Sequence, residues 1–215
     1  MERLYGESLA SRLHRAGALS PAELLPMALQ ICDALGAVHA AGVIHRDVKP
    51  SNIFIVRPAP DDTPERATPV PPETVKLLDF GVARVEWAET RLTNPGGPLG
   101  TPGYMSPEQE QGSEIDARSD LFGLGGVLYE CLTGQPPPVR SSDLWRRAEP
   151  LEDGTPSGVQ RALASIPDPW RSVIDKAMAQ LPRDRPADAR ALRDALTQVG
   201  ADSGEGQTNP SAAAT

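Results

Sequence analysis

Eight consecutive residues, His45-Arg46-Asp47-Val48-Lys49-Pro50-Ser51-Asn52, bring together a carboxylate, an ammonium and a side-chain amide. A second carboxylate opens the triplet Asp79-Phe80-Gly81, and Ser106-Pro107-Glu108 follows it. Carboxylate and amide oxygens are the ligands that a hard cation such as magnesium takes. A carboxylate can also rest against a hydroxyl without titrating near neutral pH. Taken singly, each aspartate reads as a solvated surface charge. Three such motifs in one order call for a shared explanation.

The elements that must position them can be read from periodicity. Ser20-Pro21-Ala22-Glu23 is a capping box with proline at the first helical position, so a helix starts there. Leu24, Ala28, Ile31, Leu35 and Val38 recur at three- and four-residue steps along one face, and Gly42 ends the helix. Val43-Ile44 then leads into the octapeptide. Ile53–Val56 and Val75–Leu78 read as short strands flanking a Pro-rich, charged loop from Arg57 to Thr74. A nearly all-apolar helix is expected over Ser119–Thr133, too short and too Gly-rich to span a bilayer. Further helices are expected at Pro169–Gln180 and Ala187–Val199, and the small, polar tail 201–215 is expected to be disordered.

Composition narrows the function. The 215 residues are 39% hydrophobic, enough for one domain with a sizeable core. A net charge of −8 argues against a nucleic-acid-binding surface. No apolar run reaches the roughly 20 residues of a membrane span, and no signal-peptide pattern opens the chain. Cys32 and Cys131 sit inside apolar helical patterns, as buried thiols of a reducing compartment do. A soluble cytoplasmic domain is the expectation.

Six of the eight positions in the octapeptide match H-R-D-x-K-x-x-N with proline after the lysine. With the Asp-Phe-Gly and Pro-Glu motifs downstream, the chain resembles the eukaryotic-type serine/threonine protein kinases, in their bacterial style, from Met1 to about Gly200. The resemblance implies a mainly α fold, a kinase-like large lobe with a small β-hairpin at the catalytic loop. Residues 1–200 would form that lobe. Nothing before His45 resembles the Gly-rich loop, the phosphate-pairing lysine or its glutamate helix, so the small lobe is expected to be absent. Met1-Glu2-Arg3-Leu4 and Gly6-Glu7-Ser8-Leu9 resemble the hinge between lobes and the helix after it.

The same resemblance implies roles. Asp47 would orient the substrate hydroxyl, and Lys49 would lie beside the transferred phosphoryl group. Asn52 and Asp79 would bind magnesium on ATP. Glu2 and Leu4 would face the adenine through hinge backbone groups, with Phe54 as the floor of the pocket. His45 would pack on Phe80, Glu108 would pair with Arg185, and Asp120 would hold the catalytic-loop backbone, all three as scaffold. Arg46, joined by Arg84, would receive a phosphate on Thr90 or Thr93. Thr101 would lie beside the substrate. Ser106 departs mildly from the family, replacing the more usual alanine.

Two classes of function are compatible with this reading. One is an ATP- and magnesium-dependent kinase acting on protein serine or threonine, its small lobe encoded upstream of Met1 or supplied by another chain. The other is a non-catalytic module that docks a substrate or a second kinase.

Overall fold

The computed structural model describes residues 4–57, 73–79, 103–138 and 157–205, with side chains as far as Ala201. The chain opens with strand β1 (Gly6–Ser8) and helix α1 (Leu9–Ala16), then the long helix α2 (Pro21–Ala40). Ser20 and Glu23 close the capping box at the start of α2: the Ser20 N–H donates to Glu23 Oε2 at 2.9 Å, and the Glu23 N–H to Ser20 Oγ at 3.3 Å. At its end, Val43 N–H reaches the Val38 carbonyl and Gly42 N–H that of His39, with Gly42 at φ +75°. That is a Schellman motif, which needs a left-handed residue at Gly42.

Strands β2 (Ile53–Val56) and β3 (Thr74–Leu77) follow the octapeptide. The expected hairpin is a three-stranded antiparallel sheet in the order β1-β2-β3, with Glu7 opposite Ile55 and Ile55 opposite Val75. The third strand, Gly6-Glu7-Ser8, has no apolar alternation of its own and forms by pairing with β2. A Cβ on Gly6 would stand 2.0 Å from the Ile55 carbonyl oxygen, so only glycine permits this approach. Strand β3 lies one residue earlier than expected.

The core helix is α4 (Arg118–Thr133), preceded by the short α3 (Pro107–Gln111) and capped by Gly134 in the left-handed region. Every residue of α4 from Ser119 to Tyr129 is buried. Helices α5 (Gly158–Ser165), α6 (Asp168–Ala177) and α7 (Ala189–Glu205) complete the body. Helix α6 ends three residues before the expected Gln180, ahead of Leu181-Pro182 and a 3₁₀ turn. The Asp188 carboxylate accepts from the Ala191 N–H at 2.7 Å and sets the start of α7, which lies along α2. Because α7 runs to Glu205, the first five residues of the expected disordered tail are helical; residues 206–215 lie outside those described. Leu9 and Leu24 join Ile53, Ile55, Leu121 and Trp170 in one core. Cys32 and Cys131 are buried free thiols there, and burial pushes the Cys32 thiol up to about 12.

Candidate active site

The octapeptide is suspended between α4 and the sheet, and Asp120 is its anchor. This carboxylate, 1% exposed, accepts the Arg46 N–H on Oδ1 at 2.7 Å and the His45 N–H on Oδ2 at 2.8 Å. Oδ2 also accepts His39 Nε2 at 2.7 Å, from the last turn of α2. His45 is fully buried, and its Nε2 donates to the Leu78 carbonyl at 2.9 Å. With its proton on Nε2, His45 leaves Nδ1 to accept the Asp47 N–H at 3.4 Å. Arg46 at φ +71° and Asp79 at φ +59° occupy the left-handed region, which non-glycine residues enter at a cost of about 1–3 kcal/mol. The loop also lies close on α4: a Cβ at Gly123 would meet the Val48 carbonyl oxygen at 2.9 Å.

Held in this way, Asp47, Lys49 and Asn52 converge. Lys49 Nζ lies 2.8 Å from Asp47 Oδ2, and Asn52 Nδ2 donates to the same oxygen at 2.9 Å and to the Asp47 carbonyl at 2.8 Å. Both donors use Oδ2, so among the described residues Asp47 Oδ1 accepts no hydrogen bond. The amide of Asn52 is oriented by the same bonds, and its Oδ1 likewise has no described donor. Asp79 follows at the end of β3, where the Leu78 N–H donates to the Asn52 carbonyl at 2.8 Å. Its carboxylate is exposed.

An amide oxygen and a carboxylate on adjoining segments fit magnesium, which is usually bound through one or two carboxylates, waters and substrate phosphates. No group of three or more His, Cys, Asp or Glu able to cage a metal occurs among the described residues. The Asp47–Lys49 pair is partly exposed and contributes little stability, about 0–1 kcal/mol.

A second cluster is built around Glu108 on α3. Glu108 and Arg185 form a bidentate pair at 2.6 and 2.8 Å, and Ser119 Oγ donates to Glu108 at 2.5 Å. Arg185 also donates to the carbonyls of Ala179 and Arg118 and lies 5.0 Å from the centre of the Phe122 ring. Burial raises the Glu108 pKa, but the Arg185 and Ser119 hydrogen bonds outweigh it and hold the carboxyl at about 2. Gln109, also buried, reaches the Arg46 carbonyl at 2.8 Å. Tyr104 donates its hydroxyl to Glu130 on α4.

The nucleotide side is less closely connected. Leu4 is half-buried ahead of β1. Phe54 is half-buried, alternating with the buried Ile53 and Ile55, and it lies in register with Ser8 and Lys76. Glu2, Phe80, Arg84, Thr90, Thr93 and Thr101 lie outside the described residues. Sequence reasoning missed His39 and Gln109 as supports of the loop. His39 stands four residues after Leu35 on the buried side of α2, and Ser106-x-x-Gln109 has capping-box spacing with Pro107 at the first helical position. The sequence shows these two positions but not the partners they hold.

A mainly helical body with a small sheet, and an Asp-Lys-Asn loop at their junction, is a protein-kinase-like fold. The chain belongs to the protein kinase domain family, whose model matches residues 1–196. It is 37% identical over 203 residues to the serine/threonine-protein kinase pkn3 of Myxococcus xanthus, covering 93% of this chain and 35% of that protein. It is 36% identical over 200 residues to the serine/threonine-protein kinase PknB of Mycobacterium leprae, covering 93% of this chain and 30% of that protein. The chain therefore spans about a third of the length of these curated relatives. Among solved structures, the Mycobacterium tuberculosis PknI kinase domain shares the fold with a TM-score of 0.63 at 22% identity, covering 92% of this chain and 64% of that one.

Proposed function

We propose that this chain is the catalytic and metal-binding part of a serine/threonine protein kinase, moving the terminal phosphoryl group of ATP to protein hydroxyls. The observation that carries this reading is the arrangement at Asp47. Lys49 and Asn52 both bind Oδ2, which leaves Oδ1 to accept the proton-bearing hydroxyl of a substrate serine or threonine. Lys49 adds a positive charge beside the transferred group. Asn52 Oδ1 and the Asp79 carboxylate would hold magnesium. Held by these two residues, magnesium would supply positive charge against the phosphates of ATP.

Glu2 and Leu4 would present hinge backbone groups to the adenine over the floor formed by Phe54. The phosphate-covering roof would come from a small lobe beyond these 215 residues, on a longer polypeptide or another chain. No Gly-rich loop stands ahead of His45 in this sequence, and the chain aligns with 64% of the PknI kinase domain. Thr101 would sit beside the substrate. The Arg46 guanidinium has no acidic partner among the described residues, which suits pairing with a phosphate on Thr90 or Thr93, helped by Arg84. We place the work of the chain in the cytoplasm; no helix among the described residues is long and apolar enough to cross a membrane.

The test is phosphoamino-acid analysis after incubation of a serine/threonine peptide library with labelled ATP·Mg and the chain joined to a kinase small lobe. Label in phosphoserine and phosphothreonine supports the reading. A folded, nucleotide-binding protein that transfers nothing would favour the non-catalytic docking module.

A further inference from the structure

The peptide unit between Arg46 and Asp47 carries the catalytic-loop backbone into the Asp47 side chain, and it is gripped at both ends. Its N–H, that of Asp47, donates to His45 Nδ1 at 3.4 Å. Its carbonyl, that of Arg46, accepts Gln109 Nε2 at 2.8 Å. The other end of the same amide is also engaged: Gln109 Oε1 accepts the Ser106 N–H at 3.1 Å and the Ser106 hydroxyl at 3.0 Å. Gln109 is 3% exposed and Ser106 is fully buried, so water does not compete for these groups. Arg46 sits at φ +71°, where a freed peptide has every reason to relax.

We infer that Gln109 is a positioning residue for the catalytic loop: one side-chain amide caps the helix Pro107–Gln111 and fixes the Arg46–Asp47 peptide plane, coupling the segment after Tyr104 to the orientation of Asp47. Glutamine suits this double task because it offers an acceptor and a donor on one planar group. Glutamate would satisfy the cap equally well but has no proton for the Arg46 carbonyl. Capping and positioning can therefore be separated by substitution. The kinetic consequence rests on the kinase reading above; the structural one does not.

The experiment is amide hydrogen exchange by NMR on the isotope-labelled 215-residue chain, comparing Gln109→Glu, Gln109→Met and Ser106→Ala with the parent. The His45 and Arg46 amides bind Asp120, not Gln109, and serve as internal controls. Both Gln109 variants should speed exchange at Asp47 about tenfold, because a peptide released at the Arg46 carbonyl turns its N–H away from His45 Nδ1, with the two controls unmoved. Ser106→Ala should leave Asp47 protected. Gln109→Met is similar in size and uncharged, so it decides the matter if a buried glutamate prevents folding. Joined to a small lobe, the Gln109 variants should lose about 10- to 100-fold in kcat with KM for ATP little changed, as a small misplacement near the chemistry does. Exchange rising at all three amides together would show a general loosening and overturn the proposal, as would no change at Asp47. If the parent transfers no phosphate, the kinase reading fails, while the exchange data still decide the role of Gln109.

Discussion

Glu108 immediately precedes Gln109 in α3, and its ionisation is tied to stability. An unfolded chain would protonate this carboxyl near the ordinary value of 4.5, whereas the folded chain does so only near 2. The stabilising contribution is therefore complete above about 4.5 and is lost as pH falls towards 2. Replacing the residue by Gln leaves Arg185 buried beside a neutral amide. Glu108→Gln should lower stability at neutral pH by about 3–5 kcal/mol. Urea-melt midpoints followed through that acid window should fall less steeply for the variant than for the parent. The residues of the octapeptide were legible from type and spacing because their partners lie within the motif. His39 and Gln109 were not, because their roles depend on Asp120 and Arg46, 81 and 63 residues away along the chain.

At the scale of elements, the loop depends on how closely α4 approaches it. The apolar run of α4 was legible and marked a core helix. Which of its faces meets Val48 was not, since Ser119–Tyr129 is buried all round and its pattern has no polar side to orient it. Gly123 supplies that orientation. Gly123→Ala would place a methyl group 2.9 Å from the Val48 carbonyl oxygen, against backbone that cannot easily yield. Such overpacking should cost about 1–3 kcal/mol, measurable by thermal melting, and should lower phosphoryl transfer more than nucleotide affinity. The small sheet teaches the same lesson. Strands β2 and β3 follow from the buried Ile53 and Ile55 and their neighbours Val75 and Leu77. Strand β1 escaped notice because three residues with one apolar-free pattern become a strand only beside β2.

For the whole molecule, the octapeptide lies where the helical body meets the small sheet. Asp120 and Gln109 hold the loop from the helical side, and the Leu78 carbonyl holds His45 from the sheet. Regulation through Arg46 would act on this same junction. After incubation of the small-lobe-completed protein with ATP, mass spectrometry should find phosphate on Thr90 or Thr93. The Thr90→Ala, Thr93→Ala double variant should lose most activity; full activity without loop phosphate would leave Arg46 a structural residue. The division of labour within the loop bears most directly on the whole account, and one paired measurement reads it. Phosphoryl transfer and magnesium-dependent ATP affinity are determined side by side for Asp47→Asn and Asp79→Asn in the chain joined to a kinase small lobe. Asp47→Asn should reduce transfer by about a thousandfold or more while ATP affinity stays close to that of the parent, because in the proposed mechanism its carboxylate acts on the acceptor hydroxyl. Asp79→Asn should weaken both, because it would remove one of the two proposed magnesium ligands. Transfer surviving in Asp47→Asn, or ATP affinity indifferent to Asp79→Asn with magnesium present, would contradict the assignment of the loop.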